Sequence, residues 1–346
     1  MSTERREYGM ARKSNTPTRK DVADLAGVSE TIVSYVLNAN RYVSADKKKR
    51  VMEAVEKLHY RPNSIARALK GKGNSHILFI ADNVANNYFG RLLQELDGVA
   101  YDKGYLVSLM SAKSDRDFVS RILSRQVDAV IISSSSLAES CVQDLVDSGL
   151  PVVLLMTRDY ATVHGRVARI YTGIESGIMA AVRLLYETGC RNLVHVDRVS
   201  RNGHFSSRQD LRYRGFCNQM EALGCPLTGD SFITGCADYD ELFGAVCRRV
   251  KSGVPVDGFV CRNDGLACVV LNAVLACGKK VPEDISVIGF DNSDTSRIIR
   301  PALTTVATDQ KAIAEAALSL IGAMIGGLTP EDQHLTTSMV IRDTTR

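Results

Sequence analysis

Thr18–Asn38, TRKDVADLAGVSETIVSYVLN, is the stretch on which the reading of this chain turns. Its spacing predicts two short helices around a tight turn. Thr18 can cap the first helix, and Asp21 three residues on places an acid in the first turn. Val22, Leu25 and Ala26 recur at helical spacing, and Gly27 ends the run because glycine tolerates a left-handed backbone. Ser29 is a good cap for the second helix, whose Val33, Val36 and Leu37 face inward at i, i+3 and i+4. Glu30, Thr31, Ser34 and Tyr35 are left on the outward face, all polar or hydrogen-bonding. Helix, glycine turn and polar-faced second helix describe a helix-turn-helix, whose second helix can lie in the major groove of DNA. Any two amphipathic helices around a glycine share that outline, so the residues that follow carry the decision.

Ala45–Leu58 predicts a third helix with Val51, Ala54, Val55 and Leu58 inside and a cationic run, Lys47–Arg50, near its start. Positive charge at a helix start opposes the macrodipole, so a purely structural helix favours acids there. A nearby phosphate backbone supplies the missing reason. Residues 1–72 hold sixteen basic residues against eight acids, a net of +8, which leaves −4 for the rest of a chain whose total is +4. That asymmetry is the electrostatic mark of a nucleic-acid-binding head on a non-binding body.

The string DVADLAGVSETIVSYVLN, then YVSADKKKRVMEAVEKLHYRPNSIARALK, resembles the headpiece of the lac repressor and galactose repressor family of bacterial transcription regulators, without a gap from Thr18 to Lys70. The resemblance implies a hinge helix at Asn63–Leu69, with Leu69 as the wedge that enters the operator minor groove and Lys70 beside it. It places DNA contacts at Thr18, Ser29, Glu30, Thr31, Ser34, Tyr35, Asn38, Asn63, Ala66, Leu69 and Lys70. Ile32 stands where the family usually has threonine, and Tyr35 where arginine or histidine is common; both bear on the operator sequence rather than on the binding mode.

At 346 residues the chain is too long for one ordinary domain, and 45% hydrophobic residues suffice for a sizeable core. Nine cysteines, none of them in the head or in a Cys-x-x-Cys pair, read as reduced cytosolic thiols filling core space. There is no apolar signal segment and no run approaching the roughly 20 apolar residues of a membrane span, so the expected location is the cytoplasm, on the nucleoid. Residues 1–16 are expected to form a disordered basic extension, 17–62 the helix-turn-helix domain, 63–74 the hinge helix and linker, and 75–346 the core.

Beyond the linker, short apolar runs alternate with amphipathic helical stretches. Candidate strands are Ile77–Ala81, Leu106–Met110, Ala129–Ser133, Val152–Met156, Leu193–Val196, Gly258–Cys261 and Ser286–Phe290. Such alternation predicts parallel sheets covered by helices on both faces, here as two doubly wound lobes behind an all-α headpiece. Ligands bind outside the carboxyl ends of such strands, which places a site in the cleft between the lobes. The family likeness continues through SSRQDLRYRGF (Ser206–Phe216), VCRNDGLA (Val260–Ala267), SVIGFDNSD (Ser286–Asp294) and RPALTTV (Arg300–Val306). It implies a core like that of periplasmic sugar-binding proteins, crossed three times by the chain, with lobe 1 at about 75–172 and 309–328 and lobe 2 at about 173–308 and 329–346. It also implies an effector pocket with Tyr88 and Phe89 against a ring, Arg212 clamping a polar group, and Asn263 and Asp291 bonding hydroxyls or amides.

Departures from the family matter here. Met156 occupies the place of a ligand-facing aspartate, and Tyr171-Thr172 that of an Asp-Asn pair, while Arg158, Arg166, Arg169 and Arg262 are expected near the cleft. The effector is therefore a sugar, a nucleobase or an anionic metabolite, or there is none. No metal spacing, phosphate loop or nucleophile elbow appears, so neither an enzyme nor a cofactor is expected. The six histidines are scattered. A solute-binding protein would lack the head; a constitutive regulator would keep it without a responsive pocket. The ligand-controlled regulator accounts for both halves, and the family resemblance implies a homodimer on a near-palindromic operator. No room is expected after the core for the C-terminal heptads by which family tetramers assemble, and no membrane is involved.

An apolar side chain on a short polar hinge has no evident core to join, whereas a minor-groove base step offers one, at an unstacking cost of a few kcal/mol recovered in contacts to bent DNA. Leu69→Ala should strongly weaken specific operator binding and DNA bending, measured by energy transfer, while leaving non-specific binding nearly intact. A mutant with normal affinity and normal bending would exclude the wedge.

Overall fold

The structure, a computed structural model, describes residues 17–38, 41–60, 75–113 and 117–346. The expected N-terminal extension and the hinge positions Asn63, Ala66, Leu69 and Lys70 lie outside the described residues, as does the side chain of Asn38. The chain divides into two compact units, Met1–Asn74 and Ser75–Arg346.

In the first unit, α1 (Arg19–Ala26) opens with a capping box: the Asp21 amide donates to Thr18 Oγ1 at 3.3 Å, and the Thr18 amide donates to Asp21 Oδ2 at 2.6 Å. Gly27 ends the helix at φ 62°, the left-handed conformation that glycine adopts without a Cβ clash. Helix α2 (Glu30–Asn38) follows, with the Ile32 amide donating to Ser29 Oγ at 3.4 Å. Helix α3 (Ala45–Lys57) closes the bundle. Val22, Ala23, Ala26, Val33, Val51, Ala54 and Tyr60 form its core. Leu25, grouped by spacing with Val22 and Ala26, is instead 46% exposed, and Ala23 takes the inward place. The residue that packs is the small one, because α1 approaches α3 closely.

The second unit carries two six-stranded sheets. The first contains β1 (His76–Ala81), β2 (Leu106–Ser111), β3 (Ala129–Ser133), β4 (Val152–Leu155), β5 (Val167–Tyr171) and β11 (Gln333–His334), in the order β11-β5-β4-β3-β1-β2, all parallel. Helices α4 (Asn87–Asp102), α5 (Asp117–Leu123) and α6 (Glu139–Asp147) connect its strands, and α12 (Gln310–Ile325) returns to pack on it. The second sheet contains β6 (Leu193–Val196), β7 (Phe232–Ile233), β8 (Gly258–Cys261), β9 (Ser286–Phe290), β10 (Thr304–Thr308) and β12 (Thr337–Val340), in the order β12-β10-β9-β8-β6-β7. Only β12 runs antiparallel. Around it lie α7 (Ile174–Glu187), α8 (Leu211–Ala222), α9 (Tyr239–Lys251), α10 (Asp264–Ala276) and the short α11 (Asp294–Ile298).

The chain crosses between sheets after β5, after β10 and between β11 and β12. The last crossing corrects the assignment of 329–346 wholly to lobe 2: Gln333 and His334 pair with Ile170 and Tyr171 in the first sheet, and His334 stacks on Tyr171 at 4.5 Å. Central strands are predominantly apolar and, apart from His76 at the start of β1, buried, as two covered faces require. Of the cysteines, Cys190, Cys225, Cys236 and Cys261 are buried, but Cys141, Cys217, Cys247, Cys268 and Cys277 are half-buried and do not simply fill the core.

Helices α7 and α8 touch through Gly215, where a Cβ would lie 2.7 Å from the Glu175 carbonyl oxygen. Gly215→Ala forces backbone apart and should cost on the order of 1–2 kcal/mol after alanine's helix propensity is counted. Gly322→Ala, on α12 with nothing within 4 Å, should be neutral or stabilising. Urea unfolding of the two variants checks the contrast.

Candidate functional site

Glu30 and Thr31 are exposed on the first turn of α2; Ser34 and Tyr35 follow on later turns, half-buried. The Arg41 guanidinium sits 5.3 Å from the Tyr35 ring centre, a cation–π contact that extends this face with a cation. Thr18 and Ser29 are exposed at the starts of α1 and α2, with their hydroxyls engaged in capping. Lys47, Lys48, Lys49 and Arg50 are solvent-facing on α3; Lys49 pairs loosely with Glu53 at 3.9 Å, and Arg50 with Asp46 at 3.8 Å. Exposed pairs this long contribute little and leave the cations able to meet phosphates.

In the second unit, the carboxyl ends of both sheets' strands face a cavity of about 310 Å³. Tyr88, Phe89, Arg212, Asn263 and Asp291, proposed from sequence as the pocket, all line it. Asp82 follows β1 and is the hub of the first lobe's wall. It accepts from the Ser135 amide and hydroxyl, each at 2.8 Å, from Ser136 Oγ at 2.7 Å, and from the Ser134 hydroxyl. Burial would raise its pKa, but these donors outweigh burial and hold the carboxylate below its usual range.

The opposite wall is a buried ionic network. Asp210 caps α8 through the Arg212 amide at 2.9 Å and accepts from Arg198 at 2.9 Å and from Arg262 at 2.8 Å. Asp197 accepts from the Ser206 hydroxyl at 2.6 Å and amide at 2.8 Å, and lies 3.9 Å from both guanidiniums. Arg198 also reaches across the cleft, donating to Ser135 Oγ at 2.6 Å and lying 4.0 Å from Asp82. Its pKa falls to about 10, through burial and then the neighbouring Arg262. The network neutralises itself.

One pair is left incomplete. Arg212 Nη2 and Asp291 Oδ1 are 3.9 Å apart, too far for a hydrogen bond, and both Arg212 Nε and Asp291 Oδ1 are buried without a partner. The Arg212 guanidinium lies over the Phe290 ring at 4.7 Å. Burial pushes the Asp291 carboxyl up to about 7, against the pull of Arg212. Asn263 spends its Oδ1 on capping α10, accepting from the Leu266 amide at 2.9 Å, which leaves its NH2 group for a ligand. Tyr88 packs edge-on against Phe89 at 5.3 Å, and burial raises its hydroxyl pKa to about 12.

The arginines expected at the cleft divide. Arg262 lines it; Arg158, Arg166 and Arg169 do not. Arg158 pairs with Glu139 at 3.6 Å and donates to the Leu137 carbonyl at 2.7 Å. Arg166 donates to the Leu328 and Met324 carbonyls, and Arg169 to the Val163 carbonyl at 2.8 Å. These three tie loops to backbone oxygens. Met156 is buried in the core, while Thr157 and Thr172 reach the cavity. Asp82, Ser135 and Arg198 were missed; Asp82 follows directly on a buried strand and Ser135 and Arg198 come two residues after one, near the positions that the strand-end rule singles out. His195 is fully buried against Phe216, with burial lowering its pKa to about 4, so its closeness to Asp197 is structural. Among the described residues no group of three or more side chains is placed to hold a metal ion, and no helix is long and apolar enough to cross a membrane.

A helix-turn-helix head joined to a two-lobed core with a polar cleft defines a class: regulators that couple DNA reading to a small molecule. Residues 18–63 match the model of bacterial regulatory proteins of the lacI family, and residues 182–345 that of the periplasmic binding protein-like domain. The chain is 28% identical over 338 residues to the HTH-type transcriptional repressor PurR of Vibrio parahaemolyticus, covering 95% of this chain and 98% of the relative. It is 29% identical over 312 residues to PurR of Yersinia enterocolitica, covering 88% and 89%. In fold it is similar to the lac repressor dimer bound to operator and the anti-inducer ONPF, with a TM-score of 0.80 at 23% identity, covering 96% of this chain and 99% of that one. The CelR–cellobiose complex gives a TM-score of 0.68 at 22% identity, covering 95% and 99%.

The Asp291 carboxyl stands above its ordinary 3.8, near 7, so the folded state penalises its ionised form. Its contribution to stability is complete below the ordinary value and is lost as pH rises through about 7. Asp291→Asn should remove that loss: the variant gains melting temperature relative to wild type at pH 8, and the gain shrinks toward pH 4. An unchanged difference across this range would show that Asp291 is ionised throughout.

Proposed function

We propose that this protein is a homodimeric, ligand-controlled transcriptional repressor that reads a near-palindromic operator through α2, acts on the nucleoid, and takes its effector between the lobes of the core. The observation that carries the effector half is the buried Arg212–Asp291 pair, which lines the cavity with one donor and one acceptor unsatisfied. Leaving buried polar atoms unpaired costs about 1–3 kcal/mol each, so a molecule that supplies both partners binds with a built-in gain.

The chemistry favours an uncharged, ring-shaped effector with adjacent donor and acceptor groups, a sugar or a nucleobase. Arg198 and Arg262 are already neutralised by Asp197 and Asp210, which removes the support for an anionic metabolite. The two PurR repressors, the operator-bound lac repressor and the cellobiose-bound CelR agree with a DNA-binding, ligand-responsive reading over the full chain. Exposed Glu30 and Thr31 supply base-edge contacts from the first turn of α2, and Glu30 can accept from a cytosine amino group.

Two variants separate the halves of this proposal. Glu30→Gln should change one or two positions per half-site in binding-site selection, since a good base contact discriminates by roughly 1–3 kcal/mol. Arg212→Ala should abolish the thermal shift produced by the effector found in a screen of sugars and nucleobases, and leave the affinity of unliganded protein for its selected site unchanged. Identical selected motifs would remove Glu30 from base reading. A full thermal shift with Arg212→Ala would move the effector elsewhere.

A further inference from the structure

Two thiols outside the cleft lining meet between neighbouring helices of the second lobe. Cys247 lies near the end of α9, and Cys277 is the residue that terminates α10. The Cys277 amide donates to the Ala273 carbonyl oxygen at 3.1 Å as part of the helix end, and the Cys247 thiol reaches the same oxygen at 3.8 Å. The Cys277 backbone and the Cys247 sulfur thus meet at one carbonyl oxygen, and the two thiols interact with each other. Both are half-buried, unlike Cys190, Cys225, Cys236 and Cys261, whose burial keeps them from solvent reagents.

We propose that Cys247 and Cys277 are a dithiol that closes to a disulfide when the protein meets a low-molecular-weight disulfide, cross-linking α9 to α10. One thiolate attacks a sulfur of the small disulfide, forming a mixed disulfide and releasing one small thiol. The second thiolate then attacks the protein sulfur of that mixed disulfide, forming the Sγ–Sγ bond and releasing the second small thiol. Two electrons pass from the cysteine pair to the small disulfide, and the two cysteine protons end on the released thiols. Burial and the facing Cys277 thiol raise the Cys247 pKa, while Lys251 and Arg248 on its own helix pull it down.

Helix α10 gives the cross-link its consequence. It starts at the cleft, where Asn263 caps it, and ends at Cys277. A disulfide fixes its far end to α9 without touching a residue of the cavity wall, so the site is a second chemical input, independent of which ligand the cleft holds.

The full chain is equilibrated in buffers of graded oxidised to reduced glutathione, remaining thiols are alkylated, and unreduced digests are mapped by mass spectrometry. A Cys247–Cys277 linked peptide should appear as the buffer becomes oxidising and vanish with dithiothreitol. Oxidation should also raise the melting temperature of wild type by several degrees, because the link constrains the unfolded chain, and this shift should be lost in both Cys247→Ser and Cys277→Ser. Separate alkylation or separate glutathionylation of the two thiols in the oxidised wild type overturns the proposal. So does a dominant link between other cysteines, such as Cys261–Cys268, or a thermal shift that persists in both variants.

Discussion

A single carboxylate, Asp210, sets the terms for the second lobe's side of the cleft. It is 3% exposed, caps α8, and holds the guanidiniums of Arg198 and Arg262 at 2.9 and 2.8 Å. A carboxylate so placed is tolerable only if every neighbour compensates it, since isolated buried charge is far too costly. Its partners are fixed in turn: Arg262 by Ser206 and Asp197, Arg198 by Ser135, and Ser135 by Asp82. The chain of charges therefore runs from one lobe to the other, with Arg198 and Arg262 set among the carboxylates of Asp82, Asp197 and Asp210. Arg212 Nε and Asp291 Oδ1 are among the cavity-wall atoms buried without partners, beside Arg198 Nε and Thr172 Oγ1.

Much of the architecture was legible because buried parallel strands announce themselves as apolar runs. Ala129–Ser133, Leu193–Val196, Gly258–Cys261 and Ser286–Phe290 have the expected bounds. The strands that escaped notice lack that signature. β5, VARIY, carries Arg169 in its middle; β10, TTVAT, buries Thr304 and Thr305, whose hydroxyls find partners in Thr345 and Asp264. β7 and β11 are two residues long, and their pairing is set by the sheet edge they meet rather than by their own composition. Leu25 shows the same limit in the head: periodicity marks the face but not which of two neighbouring residues, Leu25 or Ala23, fits beneath it.

The site divides along a similar line. Tyr88, Phe89, Arg212, Asn263 and Asp291 sit in phrases whose wording resembles a known family, so their shared cavity could be anticipated. Asp82 and Arg198 have partners more than fifty and sixty residues away, Ser135 and Ser136 for one and Ser135 for the other, and no local pattern reports such a meeting. Arg158, Arg166 and Arg169 misled for the converse reason. A guanidinium on or beside a strand satisfies itself with whichever carbonyl is close, and here these were Leu137, Met324, Leu328 and Val163.

The unsatisfied pair also coincides with backbone strain. Asp291 and Asn292 have φ of 101° and 47°, conformations that cost of order 1–3 kcal/mol in non-glycine residues. The turn is held there by Arg342, which donates to Asn292 Oδ1 at 2.6 Å, and by Arg91 from the other lobe, which donates to the Asn292 carbonyl at 2.9 Å. The Asp291–Asn292 turn is thus both a cavity-facing corner and a point of contact between lobes. Arg91–Asn292 and Arg198–Ser135 are two of the polar ties between the lobes at this cavity, beside the Arg198–Asp82 pair and the Leu211 amide on the Thr157 carbonyl, and charged hydrogen bonds are each worth about 1.5–3 kcal/mol net. A ligand that completes Arg212 and Asp291 supplies free energy of the same size. Arg212 and Asp291 both belong to the second lobe, so a small molecule held by them shifts the balance of the lobes only through what it adds on the first-lobe wall, where Tyr88 and Phe89 line the cavity.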